Sequence, residues 1–498
     1  MWSPPGVDPG TAARAVAVLL VASLAGRAFQ RLRLPRISGY LLTGAALGPR
    51  ALAVLGETHA ARLAATDAMC LAVIGIAAGA ELQLADLRRH PRPTLVMTAC
   101  VSVFSFGFVF LAFLVVGPRV AFLKELGTAH VALVGSLLGT LAIARSPASA
   151  IAVLREMDAR GPFCQHVMAV TVAKDALVVA LFALNVEFAA LANLDFSPGS
   201  TAKETNVFAK ETNVFEDTAS VSRALLAPAV SVAAAVASGL ALGAALGRAA
   251  RPRFLFFAVD GAAEAAEAGN PHSPLAKRSL RAAAVALVAG GAFALASRAR
   301  VEPLLLCVVA GATCANRKHA GGAGERETLR AATDALMPAV NLVFFTAVGS
   351  SVRFDRVFAD TNACLAAIAL FAARLFALFH AAATARDALR FGAATAAAAT
   401  PSFFHDPAVA EKIWLAMITQ AGVAMGLVKS CERRFATTWG GDFAALAAAT
   451  IVLNLLAGPP AFRHAIVAAG ESGAQRAGGG GKGEPQKEPE KTRDDTGV

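Results

Sequence analysis

The segment from Val167 to Ala190, VMAVTVAKDALVVALFALNVEFAA, limits more than any other what this chain can fold into. A stretch so long and apolar crosses a hydrocarbon core as a helix, because only intrahelical hydrogen bonds satisfy the backbone where water is absent. Near its middle stand Lys174 and Asp175. A charge at that depth costs roughly 2.5–3.5 kcal/mol on insertion scales and marks an ion path, a proton relay or a structural pair.

The rest of the chain repeats the pattern. With 56% hydrophobic and 16% charged residues and a mean hydropathy of +0.57, it is too apolar to pack as a water-soluble globule. The expected class is an all-α, polytopic, multi-pass membrane protein with the lipid bilayer as its solvent. Windows of about 20 residues give about thirteen spans. They centre on Leu20, Gly44, Val73, Ser105, Leu138, Leu177, Ala235, Val288, Val308, Val343, Leu370, Gln420 and Val452, in one transmembrane unit over residues 1–470. Many are rich in Gly, Ala and Ser, which lets helices approach closely in lipid.

The net charge of +11 is spread in short basic clusters between apolar runs, with no continuous stripe, so nucleic acid is not an expected partner. The seven cysteines lie in or beside apolar runs without CxxC spacing, and neither a disulfide framework nor a resident metal or cofactor is expected. The first apolar run, Ala12 to Phe29, is followed by arginines and reads as a retained helix. Arg27, Arg31, Arg33 and Arg36, then Arg88, Arg89 and Arg92, then Arg248 to Arg281, fall on one side of the spans. The positive-inside rule puts that side in the cytosol, the N-terminus outside and the C-terminus inside, although Lys429, Arg433 and Arg434 land on the opposite side. Outside the spans lie a tandem AKETNVF repeat at 202–215, a cytosolic loop at 249–281, and a Gly-, Glu- and Lys-rich tail over 471–498 that is expected to be disordered.

Side chains that bear chemistry recur at similar depth. Thr171 lies one helical turn from Asp175 on the same face, so the two form a candidate half-site, whereas Lys174 points about 100° away. A carboxylate at mid-membrane accepts a proton or coordinates a dehydrated monovalent cation, and burial brings the two ligands into competition. A structural salt bridge between helices is the competing reading. In Leu141 to Ala150, LAIARSPASA, Pro147 removes a backbone donor and Ser146 and Ser149 add hydroxyls. This either breaks a helix inside the membrane or begins a turn at its edge. Arg374 is an intramembrane cation that requires a partner, and Thr419 and Gln420 interrupt a second apolar run. Such correspondence between halves suggests inverted repeats meeting at broken helices, with ordinary interhelical hydrogen bonding as the alternative for Thr419 and Gln420.

Taken together, ISGYLLTGAALGP (Ile37 to Pro49), SPASAIAVLREMDARGPF (Ser146 to Phe163), VTVAKDALVVALFAL (Val170 to Leu184), EPLLLCVVAGATCANR (Glu302 to Arg317), FFTAVGSSV (Phe344 to Val352) and TQAGVAMGLV (Thr419 to Val428) resemble the membrane domain of monovalent cation:proton antiporters. The resemblance is to the second cation:proton antiporter family, with its Kef-type and NapA-like members. It implies a NhaA-like fold with two inverted repeats, crossed broken helices and a homodimer. It also implies that Asp175 carries cation or proton, that Ser146, Ser149, Thr419 and Gln420 lie in the crossing segments, and that Arg374 gives electrostatic support. Lys174 stands where relatives carry Asp, Asn, Gln or an apolar residue, a departure that either replaces a lost cation charge or neutralises Asp175. The implied function is exchange of sodium or potassium for protons by alternating access. An organic-anion transporter on the same scaffold and a transport-inactive membrane sensor stay open as alternatives.

Overall fold

The computed structural model describes residues 9–32, 34–49, 51–56, 66–81, 91–124, 127–192, 218–249, 274–298, 303–316, 322–391, 402–404, 406–420 and 422–478. The AKETNVF repeat, most of the 249–281 loop and the tail beyond Gly478 lie outside them. Among the described residues there are helices and turns and no strand. Seven helical stretches are long and apolar enough to cross a membrane, among them Pro162–Val186, Thr361–Arg390 and Gly440–Gln475, and five shorter apolar helices accompany them.

In chain order the helices are α1 (Pro9–Arg31), α2 (Arg36–Leu47), α3 (Asp67–Glu81), α4 (Pro91–Val116), α5 (Gly127–Ile143), α6 (Pro147–Glu156), α7 (Pro162–Ala192), α8 (Thr218–Ala249) and α9 (Pro274–Arg298). They continue as α10 (Pro303–Asn316), α11 (Gly322–Ser351), α12 (Phe354–Ala359), α13 (Thr361–Phe391), α14 (Pro407–Ala410), α15 (Gly422–Arg434), α16 (Gly440–Ala468) and α17 (Gly473–Gly478). Twelve of the thirteen hydropathy centres fall inside one of these helices. The thirteenth, Gln420, falls in the gap between a 3-10 turn at Ile413–Met417 and the start of α15.

Lipid gives helices little hydrophobic reason to associate, so packing depends on how closely backbones approach. A Cβ placed on Gly311 of α10 would stand 2.2 Å from the Ile76 carbonyl of α3, and one on Gly349 of α11 would stand 2.1 Å from the Leu41 carbonyl of α2. Only glycine fits at either crossing. These contacts pair α10 with α3 and α11 with α2, and packing of α3 on α11 joins the pairs into one group. A second group, α4, α5, α6, α7, α13 and α16, surrounds the interrupted segments, with Phe163, Phe182 and Phe462 fully buried among them.

Two features depart from the sequence expectations. The chain stays structured past Glu471: α17 forms, and the Glu471 carboxylate accepts hydrogen bonds from the backbone N–H groups of Phe163 (2.8 Å) and Cys164 (2.9 Å). A carboxylate there satisfies orphan donors at the N-terminus of α7 and complements the helix dipole. Lys429, counted above against the expected orientation, is buried in α15, where its ammonium pairs with Glu432 (2.7 Å) and donates to the Ser351 hydroxyl (2.8 Å). Its charge is neutralised within the fold.

Candidate ion site at the crossing of two broken helices

α5 stops at Ile143 and α6 begins at Pro147, with Ala144, Arg145 and Ser146 outside any helix between them. Pro147 has no N–H to continue the α5 ladder, and Arg145 and Ser146 at the break are 1% and 2% exposed, so the interruption is buried within the protein. Opposite it, the Ile413–Met417 turn ends and α15 begins at Gly422. The two interruptions bond directly. The Ser146 N–H donates to the Thr419 carbonyl (3.1 Å), and the Gln420 side-chain amide donates to the Leu141 carbonyl (2.8 Å). Each break supplies the partners that the other lost.

Arg374 of α13 ties the crossing together. Its guanidinium donates to the carbonyls of Ala142 (2.8 Å), Ala144 (3.2 Å), Met417 (3.2 Å) and Ile418 (2.7 Å), and to Asn454 Oδ1 of α16 (2.7 Å). Ala142 would accept from the Ser146 N–H in a continuous helix, but that N–H has gone to Thr419, and the arginine takes its place. The partner sought for Arg374 is therefore the carbonyl ends of both broken helices and one amide, with no carboxylate bonded to it among the described residues. At 1% exposure it does not reach an interface by snorkelling.

Asp175 lies beside the α5–α6 break at 5% exposure. Its Oδ1 accepts a long hydrogen bond of 3.4 Å from the Arg145 backbone N–H. The Thr171 hydroxyl donates to the Val167 carbonyl (2.6 Å) and accepts from Arg145 Nη1, so most of its capacity is used within the protein. Ser146 Oγ accepts from the Ser149 N–H (3.2 Å) and caps α6. The hydroxyls of Ser149 and Thr419 are buried and make no hydrogen bond to described residues. Lys174 is completely buried despite the 100° that separates it from Asp175, because both faces of α7 are packed against protein at this depth. Its Nζ makes no hydrogen bond, to Asp175 or to any other described residue.

One residue of the site escaped sequence reasoning. Arg145 is 1% exposed; it bonds Thr171 through Nη1 and the Ala416 carbonyl through Nε (2.7 Å), and its guanidinium lies 5.1 Å from the Phe462 ring centroid. It joins α7, the second broken segment and α16 around the carboxylate. The available signal was an arginine inside an apolar run directly before Ser-Pro, a position that reads as a helix end and so hides a buried cation.

A cleft of about 190 Å³ reaches the crossing at Ser146, Pro147 and Gly422. Its other wall is Ile37 of α2, Ile74 of α3, and Arg330, Asp334, Met337 and Asn341 of α11, so it separates the glycine-packed group from the group that holds the site. The cleft stops one residue short of Arg145, whose N–H contacts Asp175. A smaller void of about 20 Å³, room for one water molecule, lies among Leu141, Arg374, Gln420 and Thr450.

Crossed interrupted helices around a buried carboxylate are the arrangement in which secondary transporters of the multi-pass membrane class hold ions. The sodium/hydrogen exchanger transmembrane family model matches residues 16–457, and the chain belongs to that family, whose members exchange cations for protons. Among solved structures, the sodium proton antiporter MjNhaP1 from Methanocaldococcus jannaschii is similar, with a TM-score of 0.57 at 14% identity over 91% of this chain and 97% of that one. That likeness concerns the fold. No curated protein matches the sequence significantly.

Proposed function

We propose that this protein exchanges a monovalent alkali cation, sodium or potassium, for protons, and that Asp175 carries either the cation or the proton but not both. The observation that carries this reading is a nearly buried carboxylate on an uninterrupted helix, placed where two broken helices cross and next to a cleft that leads outward. Ser146, Ser149, Thr419 and Gln420, in the broken segments, complete the surroundings in which a dehydrated cation exchanges its water for protein oxygens. Thr171 acts mainly by positioning Arg145. Lys174 and Arg374 supply positive charge that offsets Asp175 when it is ionised.

The position of the cleft supports exchange by alternating access. The crossing group moves against the α2, α3, α10 and α11 group, with the cleft as the plane of separation, and a homodimer holds the latter group steady. The positive-inside rule applied to the basic loops supports a cytosolic opening for the cleft. The absence of a hydrogen bond from Lys174 Nζ to Asp175 argues against the transport-inactive reading, in which the lysine would lock the carboxylate.

The test is proton flux in reconstituted vesicles, driven in turn by each alkali cation. Asp175→Asn should abolish cation-dependent flux while leaving the melting profile within the range of other neutral variants. Flux retained in a folded Asp175→Asn protein removes this carboxylate from the mechanism.

A further inference from the structure

The crossing holds three basic side chains, Arg145, Lys174 and Arg374, and among the described residues one carboxylate, Asp175, all within electrostatic reach of Lys174. Arg374 has its acceptors: four carbonyls and Asn454. Arg145 and Lys174 do not have enough. Arg145 Nη2 and Lys174 Nζ are buried donors without an acceptor among the described residues, in side chains 1% and 0% exposed. The hydroxyls of Ser149 and Thr419, on the two broken segments, are likewise buried and without a partner. The positive ends of α6 and α15 start at the same crossing, at Pro147 and Gly422.

Buried polar groups without partners are costly, and unpaired buried charges more so. The imbalance deepens during the exchange proposed above. When Asp175 takes a proton, or when a cation joins it, the arginine and lysine charges lose their single carboxylate counter-charge. A cation cannot relieve this, since Arg145 Nη2 and Lys174 Nζ can only donate. Only a group that accepts hydrogen bonds and carries negative charge meets both needs.

We propose that the crossing holds a small inorganic monovalent anion of the chloride class, bound between the free donors of Arg145 and Lys174 with the Ser149 and Thr419 hydroxyls nearby. The anion is a resident counter-ion of the positive cluster; it is not cargo. Its size is limited by the enclosure of these side chains, and its route is the cleft that ends at Ser146 and Gly422. Lys174 is then neither a lock on Asp175 nor a spare charge. It is an anion ligand that allows the carboxylate to be neutralised without leaving the core electrostatically unbalanced.

The inference extends the exchanger reading, and its primary measurement does not depend on transport. Purified full-length protein is melted in sodium chloride, sodium bromide and sodium gluconate at equal ionic strength, with anion titrations. Chloride and bromide should raise the melting temperature saturably over gluconate. Lys174→Met should abolish that shift and Lys174→Arg should keep it; should Lys174→Met fail to fold, Ser149→Ala should weaken the anion's apparent affinity several-fold. Asp175→Asn, which removes the competing negative charge, should bind chloride more tightly than wild type even though it transports nothing. In vesicles, replacing chloride with gluconate on both sides should slow cation-driven proton flux several-fold. Identical melting of the wild type in all three salts, or a chloride shift that survives Lys174→Met, overturns the proposal and leaves only water at these donors. Flux retained in Asp175→Asn with an intact chloride shift, by contrast, refutes the exchanger reading alone.

Discussion

Removing the Arg374 guanidinium should destabilise this protein more than almost any other single change in the crossing. Arg374→Ala deletes five hydrogen bonds at once and strands the carbonyls of Ala142, Ala144, Met417 and Ile418 inside the protein. An unsatisfied buried acceptor costs about 1–3 kcal/mol. Four carbonyls at the low end of that range give about 4 kcal/mol, which allows for local relaxation and is exceptional for a point mutant. The assay is thermal or denaturant unfolding in detergent, followed by the fluorescence of Trp414 and Trp439; Trp414 lies in the turn whose last carbonyls the arginine binds. Arg374→Lys keeps a charge but loses the planar fork, so it should fall between wild type and alanine. Asn454→Ala removes one of the five bonds and should cost about 1 kcal/mol. Arg374→Ala melting with wild type while cation selectivity changes would refute the reasoning, since the arginine would then act on the ion and not on the backbone ends.

Further outcomes follow from other contacts. Gly311→Ala forces a Cβ to within 2.2 Å of the Ile76 carbonyl and should cost about 1–3 kcal/mol in an unfolding experiment. Gly291→Ala, with nothing within 4 Å, should be neutral or stabilising by up to about 1 kcal/mol, and equal melting of the two variants would contradict the close-packing account. Glu471→Ala, which uncaps α7, should lower stability by about 0.5–2 kcal/mol, and truncation after Gly470, which also removes the Arg160 N–H to Glu471 carbonyl and Gly473 N–H to Met157 carbonyl bonds, should cost about 1–2 kcal/mol more. Equal melting of the two variants would show that these backbone bonds contribute nothing.

Much of the site was legible because bilayer thermodynamics leaves few reasons for a charge at mid-depth. Asp175, Lys174 and Arg374 stand out against apolar neighbours by composition alone, and the Ser-Pro step and Thr419-Gln420 show where helices yield. Arg145 was not legible: next to a serine and a proline its charge reads as belonging to a loop, and only the burial of that loop makes it an internal cation. The structured stretch from Glu471 to Gly478 was hidden for a related reason, since one glutamate in a Gly-rich tail acquires its role from an α7 N-terminus some three hundred positions earlier in the chain.

The sequence by itself determined that this chain is a multi-pass helical membrane protein with charged groups inside apolar runs, because hydropathy and intrahelical hydrogen bonding are local properties that apolar runs impose wherever they occur. Tertiary structure alone decided which groups meet: that Arg374 binds the carbonyl ends of two helices broken far apart in sequence, that Arg145 occupies Thr171, and that Lys174 faces inward without bonding its neighbour. Those outcomes depend on where interrupted backbones cross and which donors and acceptors each break leaves over, quantities fixed only when distant segments are brought within 3 Å of one another.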